Sequence, residues 1–110
     1  MSSPLLDTII ASLEDTKGEN IMQFDVRHLT PLADTMVICS GRSDRQVNAL
    51  AKNMVGVVKE KLNINVKSLE GMAGGQWVLV DFVDVVVHVM LADVRESYQL
   101  EKSWGVRNTP

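Results

Sequence analysis

Gln76-Trp77-Val78-Leu79-Val80-Asp81-Phe82-Val83-Asp84-Val85-Val86-Val87-His88-Val89-Met90 decides how this 110-residue chain folds. Two apolar, β-branched runs flank a short centre that carries Asp81 and Asp84, the pattern of strand, turn and strand. A two-residue loop at Phe82-Val83 predicts Asp81 opposite Asp84, Leu79 opposite Val86 and Trp77 opposite His88. Strand side chains alternate between faces. One face therefore carries Val78, Val80, Val85, Val87 and Val89 and is core. The other carries Trp77, Leu79, Asp81, Asp84, Val86, His88 and Met90, and is apolar, aromatic and acidic at once. Two carboxylates directly opposite each other repel. A cation, a basic partner or exposure beside the turn would relieve them.

Upstream of this hairpin, Asn65 to Leu69 reads as a short strand, and Glu70 to Gly75 as a loop. Before it, Val47, Leu50, Ala51, Met54, Val58 and Leu62 form one helical stripe. Ser43 with Gln46 fits a capping box at its start, and Asn63 can end it. Asp34 to Ser40 is a strand whose near-continuous hydrophobicity predicts burial on both faces, hence a central place in the sheet. Pro31 breaks the segment before it, and Asn20 to Val26 is another strand. Pro4 to Lys17 is a helix with Leu6, Ile9, Ile10 and Leu13 on one side and Gly18 just past its end.

Downstream, Ala92 begins a last helix, with Asp93 as N-cap, Glu96 at the capping-box position and Gly105 as its end. Val94, Tyr98, Leu100 and Trp104 cover a wide arc of it. The order α-β-β-α-β-β-β-α predicts an α/β (α+β) domain, one mixed sheet of about five strands flanked by helices. A single domain is expected over residues 1–105, with 106–110 a frayed tail.

Composition narrows the function. The formal net charge is −3, so direct nucleic-acid binding would need a local basic patch, and no sequence-specific nucleic-acid partner is expected. A basic protein is the better electrostatic match. No run of about 18 apolar residues is present, and the N-terminus lacks a signal-peptide pattern, which predicts a cytoplasmic protein without a membrane partner. Cys39, the single cysteine, lies in an apolar run and reads as a buried thiol.

Three places invite chemistry. Gly41-Arg42-Ser43 opens a helix after a buried strand, where a phosphate can bind, but it has neither Walker nor Gly-x-Gly-x-x-Gly spacing. A strand-to-helix turn with a capping serine accounts for it. Asp81 and Asp84 are candidates for a divalent metal or an acid–base pair, against two turn-flanking carboxylates near solvent. His28 and His88 have no metal-ligand spacing, and His88 beside Trp77 reads as a cross-strand pair or an interface residue. No catalytic residue, metal or cofactor is assigned.

The sequence resembles the ribosomal silencing factor family, also called RsfS or Iojap-like. The resemblance rests on Trp77-Val78-Leu79-Val80-Asp81-Phe82, on Asp84 to Met90, and on Arg95-Glu96-Ser97-Tyr98-Gln99-Leu100-Glu101-Lys102-Ser103-Trp104. Asp25-Val26, Ala33 to Gly41, and Ser43 with Gln46-Val47 extend it over nearly the whole chain. One departure is Val83, where the family usually has glycine; a tight turn there asks for a positive φ, so a wider hairpin is the alternative. The resemblance implies a fold similar to the nucleotidyltransferase core. It also implies a non-enzymatic repressor that binds ribosomal protein L-fourteen on the large subunit and hinders joining of the small one. Catalytic nucleotidyltransferases carry Asp-x-Asp on a strand; Asp81 and Asp84 are three apart, so a metal-dependent nucleotidyltransferase is the rival reading, and an adaptor for a non-ribosomal partner a third.

The expected partner-binding residues are Trp77, Leu79, Asp81, Asp84, His88 and Met90 on the mixed face, with Tyr98 and Leu100 from the last helix. A bare face of this kind also predicts a weak homodimer that competes with partner binding.

Overall fold

Ser3 caps the first helix with its side chain, accepting the Leu6 amide at 3.1 Å, and Pro4 takes the first helical position. The structure, a computed structural model, describes residues 3–100 and 102. In chain order the elements are α1 (Pro4–Asp15), β1 (Glu19–Asp25), β2 (Thr35–Gly41), α2 (Asp44–Leu62), β3 (Ser68–Glu70), β4 (Trp77–Asp81), β5 (Val85–Leu91) and α3 (Ala92–Tyr98). This is the α+β order expected from the sequence, and the five strands form one sheet in the order β1-β2-β5-β4-β3. β2 and β5 are parallel; every other neighbouring pair is antiparallel.

α1 ends in a Schellman motif. Lys17 donates to the Glu14 carbonyl and Gly18 to the Leu13 carbonyl, while Lys17, not a glycine, takes the left-handed conformation at φ 66°. Gly18 is needed for space: a Cβ there would lie 2.5 Å from Cys39 Sγ. Cys39 is fully buried, and burial pushes its thiol pKa up to about 11.

α2 follows its predicted stripe. Val47, Leu50, Ala51, Met54 and Val58 are buried, and Asn63 closes the helix at φ 56°. Ser43 Oγ accepts the Gln46 amide at 3.1 Å. Gln46 reaches one residue further back than a capping box requires, its Oε1 accepting from the Arg42 amide at 2.6 Å. Gly41 lets α2 turn close to the sheet, since a Cβ would lie 2.8 Å from Val47 Cγ2. The turn at Gly41-Arg42-Ser43 is thus accounted for by packing and capping.

Both helices cover one face of the sheet. Leu6, Ile9 and Leu13 from α1 join the α2 stripe and Val37, Cys39, Val78, Val80, Val85, Val87 and Val89 in the main core. The all-valine face is core, as its alternation requires. β2 is an interior strand with Val37 through Gly41 buried, which matches its unbroken apolar run. Apolar side chains buried this completely each contribute roughly 1.5–3 kcal/mol.

The opposite face has a smaller core of Phe24, Val26, Ala33, Ile38 and Met90, flanked by Met36, Trp77, Val86, Val94 and Leu100. α3 departs from two expectations. Its N-cap is Leu91, which leaves β5 directly and makes no side-chain cap bond, so Asp93 falls inside the first turn. There its charge still suits the helix dipole. The helix ends at Tyr98 with Gln99 left-handed at φ 51°; Trp104, Gly105 and the tail 106–110 lie outside the described residues.

Candidate functional site

The hairpin turns one residue later than Phe82-Val83. Phe82 and Val85 are both buried in the main core, and the Phe82 amide donates to the Val85 carbonyl at 3.0 Å. Anchoring Phe82 in the core takes it out of the loop, which becomes Val83-Asp84. The register therefore moves by two: Trp77 faces Met90, Leu79 faces His88, and Asp81 faces Val86. A shift of two leaves every side chain on its expected face but changes every partner. Asp81 and Asp84 are not opposite each other, and the repulsion expected from that pairing does not arise.

Val83 sits at φ 78°, and the Asp84 amide donates to the Phe82 carbonyl at 3.0 Å across it. That three-residue closure with a positive φ is a γ-turn-like geometry, strained for a β-branched side chain. Asp81 supports it: its Oδ1 accepts the Val83 amide at 2.7 Å. Asp84 is exposed at the tip, and its carbonyl accepts both the Asp34 and Thr35 amides, at 2.9 and 3.1 Å. These bonds dock the hairpin against the start of β2.

At the other end of the same face stands an aromatic cluster. Trp77 Nε1–H donates to His88 Nδ1 at 2.9 Å, with ring centroids 5.9 Å apart. The two are diagonal neighbours across the β4–β5 ladder, a spacing that large rings can bridge. Tyr98 of α3 packs on Trp77 with centroids 4.8 Å apart and planes tilted by 58°. Trp77 and His88 are half-buried, while Tyr98 is 61% exposed. Burial lowers the His88 pKa to about 4, so the imidazole is neutral near pH 7 and can accept through Nδ1.

Leu79, Asp81 and Leu100 are half-buried on this side of the molecule. Met90 is a correction: it has no exposed surface and lies in the smaller core beneath Trp77, so it supports the face and offers no area of its own. The structure thus brings together Trp77, His88 and Tyr98, with Leu79 beside them, and leaves Asp81 and Asp84 at the hairpin end.

Two features were not foreseen from the sequence. A groove of about 440 Å³ adjoins the hairpin end, lined by Leu29, Leu32, Met36, Lys67, Asp81 and Val83 among others. Leu32 is 82% exposed. Two leucines beside Pro31 in an aperiodic segment were the available signal. Arg95 is buried and donates from Nη1 to the Asn20 carbonyl at 2.7 Å and to Ser40 Oγ at 2.9 Å. The sequence marks it only as the first residue of the motif Arg95 to Trp104, with no role attached, because β1 and β2 meet α3 only in the fold. Among the described residues no group of three or more His, Cys, Asp or Glu side chains is placed to hold a metal ion, and no helix is long and apolar enough to cross a membrane.

Comparison with known proteins agrees with this architecture. A family described as "Ribosomal silencing factor during starvation" (RsfS) matches residues 1–110. The ribosomal silencing factor RsfS of Chromobacterium violaceum is 47% identical over 96 residues, covering 87% of this chain and 78% of that protein. The RsfS of Haemophilus influenzae is 40% identical over 101 residues, covering 92% and 98%. A crystal structure of a Chromobacterium violaceum protein superimposes with a TM-score of 0.88 at 44% identity, over 92% of this chain and 83% of that one. Matched along its length in sequence and in fold, the chain belongs to the ribosomal silencing factor family.

Proposed function

We propose that this protein represses translation by binding the large ribosomal subunit through ribosomal protein L-fourteen and hindering the small subunit from joining. Family membership supports the ribosomal part of this reading. The observation that carries the docking site is the half-buried Trp77, held between His88 and the exposed Tyr98. Interface cores favour aromatic groups, and a complementary charge aids encounter and specificity. Docking falls on Trp77, Leu79, His88, Tyr98 and Leu100, with Asp81 and Asp84 meeting Lys or Arg of a basic partner. Asp81, engaged in the hairpin turn, acts in specificity and not in catalysis. A weak homodimer through the same face competes with docking, and light scattering across a concentration series detects it.

Sedimentation tests the proposal. Purified large and small subunits are mixed with excess protein and resolved on a gradient. The expected result is fewer monosomes, with the protein comigrating with the large subunit. Normal monosome formation with the protein left at the top of the gradient overturns it. Capture of a non-ribosomal protein in place of large subunits would favour an adaptor. Nucleotide turnover with Mg²⁺, abolished by Asp81→Asn, would favour a nucleotidyltransferase.

A further inference from the structure

Trp77 and His88 are not ladder partners. Trp77 faces Met90 and His88 faces Leu79, so backbone pairing alone does not require the two rings to meet. They meet through a bond between side chains, Nε1–H to Nδ1 at 2.9 Å, with the ring planes at 49°. Tyr98 approaches the indole as well, at 4.8 Å between centroids. A half-buried indole without such an acceptor has other rotamers open to it. Ordering a side chain on association opposes binding, and fixing it beforehand removes that cost. An acceptor at Nδ1 places the imidazole proton on Nε2, and the burial that keeps His88 neutral preserves this arrangement.

We propose that His88 is a positioning residue: its Nδ1 holds the Trp77 indole in the orientation that docking uses, and its contribution to binding passes through Trp77. The inference rests on the reading that this face docks on the large subunit. It changes the role expected for His88, from a group that touches the partner to one that sets the group that does.

The test uses the full chain and four variants: His88→Leu, His88→Asn, Trp77→Ala, and Trp77→Ala with His88→Leu. The chain has two tryptophans, and Trp104→Phe assigns the two indole N–H resonances. His88→Leu is expected to move the Trp77 indole resonance to the position of an unbonded indole. Large-subunit binding should weaken roughly five- to tenfold, the scale of one lost hydrogen bond. His88→Asn, whose Oδ1 lies close to the place of Nδ1, is expected to restore both. In the Trp77→Ala background His88→Leu is expected to add no further loss.

An unmoved indole resonance in His88→Leu overturns the proposal. So does normal binding by His88→Leu when Trp77→Ala is defective, and so does an equal loss in the Trp77→Ala background, which would make His88 a direct contact. If Trp77→Ala binds as the wild type does, the docking reading falls and the proposal with it, which separates that failure from the others. Should His88→Leu not fold, His88→Gln, whose carbonyl lies nearer the place of Nε2, supplies the same two readouts.

Discussion

Arg95 and Ser40, 55 residues apart in sequence, are joined inside the protein by a 2.9 Å bond from Nη1 to Oγ. The same Nη1 donates to the Asn20 carbonyl at 2.7 Å, so one guanidinium fastens α3 to both β1 and β2. Asn20 lies where the β1–β2 register shifts, and its φ is 50°. Arg95 thus takes a carbonyl at the point where the ladder is irregular.

Arg95→Ala is therefore expected to lower stability by about 2 kcal/mol, since bonds to a charged donor are worth more than neutral ones and one buried and one part-buried acceptor lose a partner. Arg95→Lys should recover only part of this, because an ammonium lacks the planar fork. Urea denaturation measures the loss. Amide exchange should rise first in α3, and Tyr98 should lose its hold on Trp77.

Asp81→Asn and Asp81→Ala separate charge from turn geometry. Asparagine keeps an Oδ1 acceptor for the Val83 amide, so Asp81→Asn is expected to fold with stability within about 0.5 kcal/mol of the wild type. Alanine removes the acceptor and should cost about 1 kcal/mol. Large-subunit binding by the two proteins decides the rest. A loss already complete in Asp81→Asn is expected if the charge meets a basic partner, whereas a loss confined to Asp81→Ala would trace to the turn.

Val83→Gly should stabilise the hairpin. A left-handed backbone costs a β-branched residue about 1–2 kcal/mol, and glycine removes that strain. The added freedom of the unfolded chain returns roughly half of the gain. A net rise of about 0.5–1 kcal/mol in unfolding free energy is the expected outcome, read from chemical denaturation.

Stability should also fall in acid through His88. Its folded pKa of about 4 lies below the ordinary 6.5, so between these values the unfolded chain binds a proton that the folded one refuses. The contribution is fully present above pH 6.5 and is lost progressively as the pH falls toward 4, by about 3 kcal/mol in all. His88→Leu, compared with the wild type at pH 7 and pH 4.5, should show a flatter dependence of unfolding free energy on pH. Parallel curves would mean that other groups dominate.

Element order and the faces of the hairpin were legible because they depend on period. Alternation in β4 and β5 puts the five valines on the core side in either of two registers that differ by two residues. The register itself was not legible, because burial of Phe82 decides it, and the sequence around the tip offers Phe82 equally as a turn residue. Asp93 looks like an N-cap by type, but β5 runs straight into α3 and leaves Leu91 at that position. The contact of Trp77 with His88 was expected for the wrong geometry: the rings meet diagonally and through a bond, not as opposed partners. Arg95, Leu29 and Leu32 were hidden for a common reason. Each takes its meaning from a neighbour that only the tertiary fold supplies.

The place of β5 in the sheet also sets when this protein can fold. β5 lies between β2 and β4, yet α1, β1, β2 and α2 all precede it in the chain. Until Val85–Leu91 has been synthesised, Val37 and Cys39 of β2 and the buried stripe of α2 lack the valines that complete their core. The first 62 residues are thus not a unit that can mature alone during synthesis. Non-local pairing of this kind slows folding and leaves apolar surface exposed meanwhile. A nascent chain halted before Val85 should remain sensitive to protease, and one extended past Leu91 and clear of the ribosome should become resistant in a single step.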